Sequence, residues 1–392
     1  MLPRTRTANH RLTVFHLVQP VEGGVARVVT DLVGAQVLEG IRVVVACPRG
    51  TRLSSALADA GAEVHPWQAG RAPGPGLPGE TVSASRLIRA SRPDVVHAHS
   101  SKAGLAARLA VRGRIPTVFQ PHAWSFEAVG GTTARVALAW ERYAARWAER
   151  ILCVSEAERR TGEAAGIAAR WTVIRNGVDV RWFGTDDTTA PPLEETILLM
   201  SRTPAQGPVV VCVGRLCPQK GQDVLLRAWP EITRAVPDAR LVLVGDGPDR
   251  ERLRTLASSG VLFAGAVDGT RDWMRAADVV VQPSRWEGMA LAPLEAMACG
   301  RPVVLTDVSG ARESLPPGHD RHCLVPPDDP RALAHAVGRL LTNPQLRDAL
   351  GHQARSHARA NFDVQDTVTA VSELYRQLLG LPQPTTTERI TR

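Results

Sequence analysis

The sequence predicts two doubly wound α/β domains, each a parallel sheet with helices on both faces. Three observations carry this. Short β-branched runs alternate with longer helix-forming stretches along most of the 392 residues. The runs are continuously apolar rather than alternating, the pattern of strands buried on both faces. The series also stops and restarts around a polar stretch at 185–206, which fits two domains at roughly 150 residues each.

In the first series the expected strands are 12–18, 41–46, 62–67, 94–98, 116–120, 151–154 and 172–174. Helices are expected at 25–39, 83–91, 102–112 and 132–149. Strand–helix alternation of this kind gives right-handed parallel crossovers. The stretch from Thr185 to Gln206 holds Asp-Asp, Thr-Thr, Pro-Pro and Glu-Glu pairs around the short apolar run 197–200, and most of it reads as linker. The second series has strands at 209–213, 240–244, 261–264, 279–282 and 303–306. Its helices fall at 222–235, 249–259, 271–276 and 291–299, followed by a helical tail at 330–341, 344–361 and 364–379. The expected organisation is a first domain 1–188, a linker 189–206, a second domain 207–363, a helix 364–381 returning to the first domain, and a polar tail 382–392. Ligands in such sheets sit beyond the carboxyl ends of the strands, so a cleft between the domains is the expected site.

Composition excludes several classes. With 44% hydrophobic and 22% charged residues the chain is too apolar for disorder. No uncharged apolar run reaches the ~18 residues of a spanning helix, and the start shows no signal-peptide pattern. A cytoplasmic protein is expected, peripheral on the inner face of the plasma membrane if it meets a bilayer. The six cysteines are scattered without a CxxC pair, which argues for reduced thiols and against a zinc site. The net charge of +8 is uneven: up to Ala190 there are 24 Lys/Arg against 16 Asp/Glu, and beyond it 23 of each. The first half is therefore expected to meet something anionic, unless an arginine-rich composition simply fell unevenly.

Two clusters carry chemistry. Val213-Gly214-Arg215-Leu216 ends a strand, and Gln219-Lys220-Gly221 opens a helix. Arg215 and Lys220 then stand at a helix N-terminus, where dipole and free amides already favour an anion. Lys220 is one of only two lysines, the other being Lys102. Further on, Glu287 precedes a helix and Glu295 lies within it, with Gly288, Met289, Ala290 and Leu291 between them at its start. Carboxylates accept hydrogen bonds from hydroxyls and suit sugar and ribose rings, while the free amides suit a phosphate. Glu295 sits in an apolar run, where an unpaired acid would be costly.

These clusters in this order resemble the family-4 retaining glycosyltransferases of GT-B fold, of the type that builds bacterial exopolysaccharide and lipid-linked glycans. Further matching segments are Val244-Gly245-Asp246-Gly247-Pro248, Phe263-Ala264-Gly265, Pro283-Ser284, Glu22-Gly23-Gly24, Asp94-Val95-Val96-His97-Ala98-His99, Cys153-Val154-Ser155 and Asn176-Gly177-Val178-Asp179. The resemblance spans about residues 12–380. It implies that Arg215 and Lys220 neutralise the diphosphate of a nucleotide-sugar, expected to be a UDP-sugar. Glu295 would bind the ribose, and Glu287 the transferred sugar beside the Gly288–Leu291 amides. Val267 would lie near the base, Gly23 and Gly24 would let the backbone approach the donor, and Asn176 would stand on the acceptor side. His122, in Gln120-Pro121-His122-Ala123-Trp124, would lie over the donor sugar. Catalysis is thereby assigned to His122, Glu287, Arg215 and Lys220. Met289-Ala290 departs from the Phe-Gly more usual in the family.

The implied reaction is hexosyl or N-acetylhexosaminyl transfer with retention, through same-face attack and an oxocarbenium-like pair. Catalysis would rest on positioning and charge stabilisation, with no metal and no cofactor beyond the donor. The expected acceptor is a glycan or a polyprenyl-diphosphate-linked sugar, in cell-envelope or exopolysaccharide synthesis. The alternatives are a nucleotide-sugar epimerase of the same fold and a non-catalytic sugar-nucleotide binding module. Nucleic acid is not an expected partner, since aromatics are sparse and no reader motif occurs.

Three other features have blander readings beside the functional ones. Gly74-Pro75-Gly76-Leu77-Pro78-Gly79 matches GxGxxG in letters, but two prolines interrupt it and a mobile loop is expected. His97 and His99 share a strand face as metal ligands would, without a supporting Cys or carboxylate. On 135–150, Arg135, Arg142, Arg146 and Arg150 form one helical stripe beside Val136, Trp140, Tyr143 and Trp147. That helix either packs its aromatic stripe on the sheet or lies on an anionic membrane.

Overall fold

The computed structural model describes residues 11–185 and 207–382. The expected linker and the residues of the tail from 383 onward lie outside the described residues. The chain divides into two compact units, the first holding 11–154, 158–174 and the residues from Thr367, the second holding 155–157 and 175–366.

The first unit is a seven-stranded parallel sheet in the order β3-β2-β1-β4-β5-β6-β7. Its strands are β1 (Thr13–Val18), β2 (Arg42–Cys47), β3 (Glu63–Pro66), β4 (Val95–His99), β5 (Thr117–Gln120), β6 (Arg150–Cys153) and β7 (Trp171–Val173). Register pairs Val14 with Val95 and His16 with His97. The order reverses between β1 and β4, so the crevice beyond their carboxyl ends is the switch point of this sheet. β1, β4 and β5 are buried along their whole length, which favours apolar residues there, yet His16, His97, His99 and Gln120 are buried among them. One face packs Phe15, Leu17, Trp67, Ile88 and Val96 with the alanines of helix Ser100–Val111. On that helix Arg108 is fully buried, forming a two-pronged bond to Glu141 at 2.8 and 3.1 Å with its guanidinium 3.8 Å over the Phe119 ring. The other lysine, Lys102, is buried against Glu80 at 2.5 Å.

The second unit is a six-stranded parallel sheet in the order β10-β9-β8-β11-β12-β13. Its strands are β8 (Val209–Val213), β9 (Arg240–Val244), β10 (Val261–Gly265), β11 (Val279–Gln282), β12 (Val303–Thr306) and β13 (Leu324–Val325). Here the switch point lies between β8 and β11. The two loops that carry the chemical motifs leave these two strands.

Several expectations are corrected. Residues 175–184 belong with the second unit rather than the first. Val178 bridges to Asp363, and the Gly184 carbonyl accepts from Arg355 and Arg359. The helix expected over 132–149 ends as Gly131–Ala144 with a short 3-10 turn after it, and Arg150 opens β6. The four-arginine stripe is therefore broken. Of the aromatic stripe, Tyr143 and Val136 are exposed, at 52% and 64%. The GxGxxG look-alike is not a loop throughout: helix Leu77–Ser91 begins inside it, with Pro78 in the first turn, where proline costs no hydrogen bond.

Candidate active site

Lys220 and Glu287 are built into one polar cluster by two loops laced together. The first loop follows β8 and runs through Gly214, Arg215 and Lys220 to helix Gln222–Ala235. The second follows β11 and runs through Ser284 and Glu287 to helix Leu291–Ala298. Gly221, at φ +63°, lets the first loop touch the second: a Cβ there would lie 2.0 Å from the Pro283 carbonyl oxygen. Arg285 N–H donates to the Gln219 carbonyl at 2.8 Å, and the Gln219 side chain donates to the Trp286 carbonyl at 3.0 Å. The Arg285 guanidinium binds Asp223 through two bonds of 3.0 and 2.8 Å. That pairing raises its pKa, chiefly through the Asp223 hydrogen bond.

At the centre Lys220 Nζ donates to Glu287 Oε1 at 2.5 Å. Ser284 Oγ donates to the same oxygen at 2.7 Å and accepts from Gln282 Nε2 at 2.8 Å. Glu287 is only 8% exposed, so its charge is held by these bonds and not by water. Arg215 differs: its guanidinium makes no hydrogen bond or ion pair among the described residues, and it is only half-buried. The Lys220 stem runs past Gly214, whose missing Cβ would stand 3.6 Å from it. The arrangement offers an aimed ammonium and an uncommitted guanidinium at one strand end, which is anion-binding chemistry.

The Glu287–Leu291 segment is pinned from below. Ser155 Oγ donates to the Gly288 carbonyl at 2.9 Å, and Asn176 Nδ2 donates to the Met289 carbonyl at 2.8 Å. Asn176, expected on the acceptor side, is 4% exposed and lies in the second unit, where it supports this loop. Gly310, at φ +76°, packs so closely on the Gly288 carbonyl that a Cβ would stand 2.1 Å from it. The recess beside the loop is lined by Gln282, Ser284, Glu287, Ala290, Thr306 and Ser309. Helix Leu291–Ala298 has no side-chain cap on its first amides. On that helix Glu295, 9% exposed, accepts from Thr270 Oγ1 at 2.9 Å. Val267 is half-buried in the segment just after β10.

In the first unit Gly23 and Gly24 open the helix Gly23–Leu38 after β1. Gly23 adopts φ +70° and both glycines are exposed. His122 follows β5, and both it and Ala123 have positive φ, 55° and 97°. Such conformations cost about 1–3 kcal/mol each in non-glycine residues and persist only where the surroundings enforce them. Glu158 does so here. It is 1% exposed, accepts from Ala123 N–H at 2.6 Å and from Val154 N–H at 2.7 Å, and its own carbonyl accepts from the Trp124 indole at 2.8 Å. Burial raises its pKa to about 7 against the opposing effect of those amides. Burial likewise holds the His122 imidazole down at about 3. Sequence reasoning missed Glu158, because a carboxylate 36 positions from His122 leaves no trace in spacing.

His16, His97 and His99 converge in the core of the same sheet, with ligand nitrogens within 4.8 Å of one another. The sequence placed two of them on one strand face; His16 joins them from β1. All three are fully buried, and burial depresses each below the ordinary imidazole range, His16 to about 4.

Comparison with known proteins fixes the family. Residues 22–182 match the glycosyltransferase family 4 profile and residues 207–343 match the glycosyl transferases group 1 profile. The lipopolysaccharide core mannosyltransferase LpsB of Rhizobium meliloti is 30% identical over 253 residues, covering 61% of this chain and 69% of that protein. The chain belongs to the family-4 glycosyltransferases.

Two other members show the spread of the family. A GDP-mannose-dependent α-(1-6)-phosphatidylinositol monomannoside mannosyltransferase from Mycolicibacterium smegmatis is 35% identical over 229 residues. That match covers 55% of this chain and only 58% of the relative's length. The UDP-Gal:α-D-GlcNAc-diphosphoundecaprenol α-1,3-galactosyltransferase of Escherichia coli is 28% identical over 307 residues, 75% of this chain and 78% of that one. Among solved structures, Anabaena HepE in complex with UDP and glucose has a TM-score of 0.80 at 23% identity, over 94% of this chain and all of that one. WaaG, a glycosyltransferase involved in lipopolysaccharide biosynthesis, reaches 0.70 at 19% identity. These likenesses show the GT-B fold of this glycosyltransferase, as its sequence predicted. No described helix is long and apolar enough to cross a membrane.

Proposed function

We propose that the chain transfers a hexose or N-acetylhexosamine, with retention, from a nucleotide-diphosphate sugar to a lipid-linked or glycan acceptor. The observation that carries this is the Arg215–Lys220–Glu287 group at the switch point of the second sheet. One cation there is free and one is aimed by a buried carboxylate. A diphosphate leaving group needs such charge as its bond to the sugar breaks, and side-chain cations supply it without a metal. Glu287, with one oxygen taken by Lys220 and Ser284, has its second oxygen for a sugar hydroxyl. Glu295 would take the ribose, Val267 the base, the Gly288–Leu291 amides a phosphate or sugar oxygen, and His122 the face of the donor sugar.

Among nucleotides, UDP-sugars are the proposed donors, in line with the E. coli relative. The M. smegmatis relative makes GDP-mannose the competing donor to test. The excess positive charge of the first 190 residues, 24 Lys/Arg against 16 Asp/Glu, favours an anionic acceptor such as a polyprenyl-diphosphate-linked sugar, reached at the cytoplasmic face of a bilayer. The test is transfer from labelled UDP-hexoses, UDP-N-acetylhexosamines and GDP-mannose to such an acceptor, in chelator, with the product's anomeric configuration read by NMR. Release of nucleotide only with acceptor present, and an anomeric centre unchanged from the donor, support the reading. Epimerised free sugar, inversion, or dependence on added metal would each overturn the corresponding part.

A further inference from the structure

A chain of hydrogen bonds leads from His122 into the core of the first sheet. His122 Nε2 lies 3.3 Å from His99 Nδ1. His99 Nε2 lies 3.0 Å from His16 Nδ1. His16 Nε2 lies 2.9 Å from Gln36 Oε1. His16, His99 and Gln36 are each 0% exposed, so water cannot substitute for either of the two inner links, while His122 at the outer end is half-buried. The rings lie nearly parallel in sequence, at 16° for His16 on His99 and 27° for His99 on His122.

The direction of this chain follows from its inner end. A neutral imidazole has one donor and one acceptor nitrogen. The Gln36 carbonyl oxygen can only accept, so His16 carries its proton on Nε2 and accepts on Nδ1. His99 must then donate from Nε2 and accept on Nδ1. His122 must donate from Nε2, which leaves Nδ1 as a bare lone pair. Burial keeps these rings neutral near pH 7, as the assignment requires. The chain ends on an amide that cannot take up a proton. It therefore orients His122 and does not conduct protons away from it.

We propose that His99, fixed in turn by His16 and Gln36, is a positioning residue that holds His122 in the tautomer with its proton on Nε2, so that Nδ1 accepts a hydrogen bond from a hydroxyl of the substrate. The reading of His122 as a donor-sugar residue underlies the last clause. The tautomer itself does not depend on it. His97 is outside the chain: its Nδ1 is 2.6 Å from the Tyr375 hydroxyl, and its Nε2 is buried without a hydrogen bond.

The experiment is long-range ¹H–¹⁵N correlation on the full chain, wild type against His99→Leu and His99→Asn, with transfer kinetics on the same samples. In the wild type, His122 and His99 are each protonated on Nε2 alone. In His99→Leu the His122 signals become those of mixed tautomers, and kcat falls about 10- to 100-fold with donor KM little changed, as for loss of the partner that orients a functional imidazole. In His99→Asn the amide oxygen stands where Nδ1 stood, so the Nε2–H tautomer and most of kcat return. Gln36→Leu, at the far end of the chain, gives the same readout if His99→Leu does not fold. A wild-type His122 protonated on Nδ1, a tautomer unmoved in both His99→Leu and Gln36→Leu, or stoichiometric zinc bound by His16, His97 and His99 would overturn the proposal. Absence of sugar transfer from every donor would instead overturn the functional reading, while the spectra still decide the tautomer.

Discussion

Lys220 Nζ and Glu287 Oε1 meet at 2.5 Å across two loops that are 67 positions apart in sequence. The bond joins the ends of β8 and β11, the strands flanking the switch point. It ties the two loops into a single unit, the one proposed to bind the donor's anion and hydroxyls. Replacing either residue by alanine should lower transfer by about 10²–10³-fold, the usual cost of one preorganised charge at a reacting centre. In Glu287→Ala and Lys220→Ala together the losses should be less than additive, because each residue acts through the other. Steady-state kinetics on the two single variants and the double variant checks this; strict additivity contradicts the coupling.

On the proposed function, Arg215 serves binding and not the fold. Its guanidinium makes no bond among the described residues, so Arg215→Ala should change stability by no more than about 0.5 kcal/mol. Affinity for UDP should fall, and its salt dependence should weaken. Thermal unfolding with and without UDP separates the two effects: the variant's midpoint should match the wild type's in the absence of nucleotide and rise less in its presence.

Asn176 should behave in the opposite way. Its bond to the Met289 carbonyl is buried, and Asn176→Ala leaves that carbonyl without its donor. A loss of about 1–3 kcal/mol in stability is expected, with a rise in donor KM as the loop loosens. Denaturant unfolding and kinetics on the one variant test both; an unchanged KM would separate the loop from the donor.

Stability should depend on pH through the buried histidines. His16 is held down at about 4 and His122 at about 3, with His97 and His99 also depressed, all by burial. Unfolded histidines bind protons below about 6.5, so between there and about 4 the unfolded chain binds more protons than the folded one. The first unit should therefore lose stability as pH falls through that window. Glu158 works the other way, since its pKa is raised to about 7 and the folded state is the better proton binder above about 4.5. Burial also raises the pKa of Glu127 in the same unit, and four histidines against these two carboxyls make net acid destabilisation the expected result. Unfolding midpoints measured from pH 8 to pH 4 check the sign, and Glu158→Gln should steepen the decline between pH 7 and pH 4.5.

Much of the fold was legible because buried parallel strands are apolar on both faces. Runs 209–213, 240–244, 279–282 and 303–306 were read to the residue. The two-residue β13, the short helices Ala311–Ser314 and Asp320–Cys323, and helix Glu156–Ala164 were not, since they carry too few apolar positions to set a period. At the site, Lys220, Arg215 and Glu287 were visible as charges beside glycines at strand ends. Their mutual geometry was not, and nor were the supports. Glu158 under His122, Ser155 and Asn176 under the Gly288–Met289 segment, and His16 beside His99 are tertiary contacts between residues far apart in sequence, and spacing encodes none of them. The assignment of 175–184 failed for the same reason: a bridge to Asp363 decides it.

Arg215 and Lys220 are proposed to hold a nucleotide diphosphate. Calorimetric titration of UDP, UMP and uridine into the wild type, Arg215→Ala and Lys220→Ala measures it directly. Wild-type affinity should fall from UDP to UMP to uridine, and each variant should lose about tenfold or more for UDP while binding uridine as before. Equal UDP affinity in the wild type and both variants would contradict it.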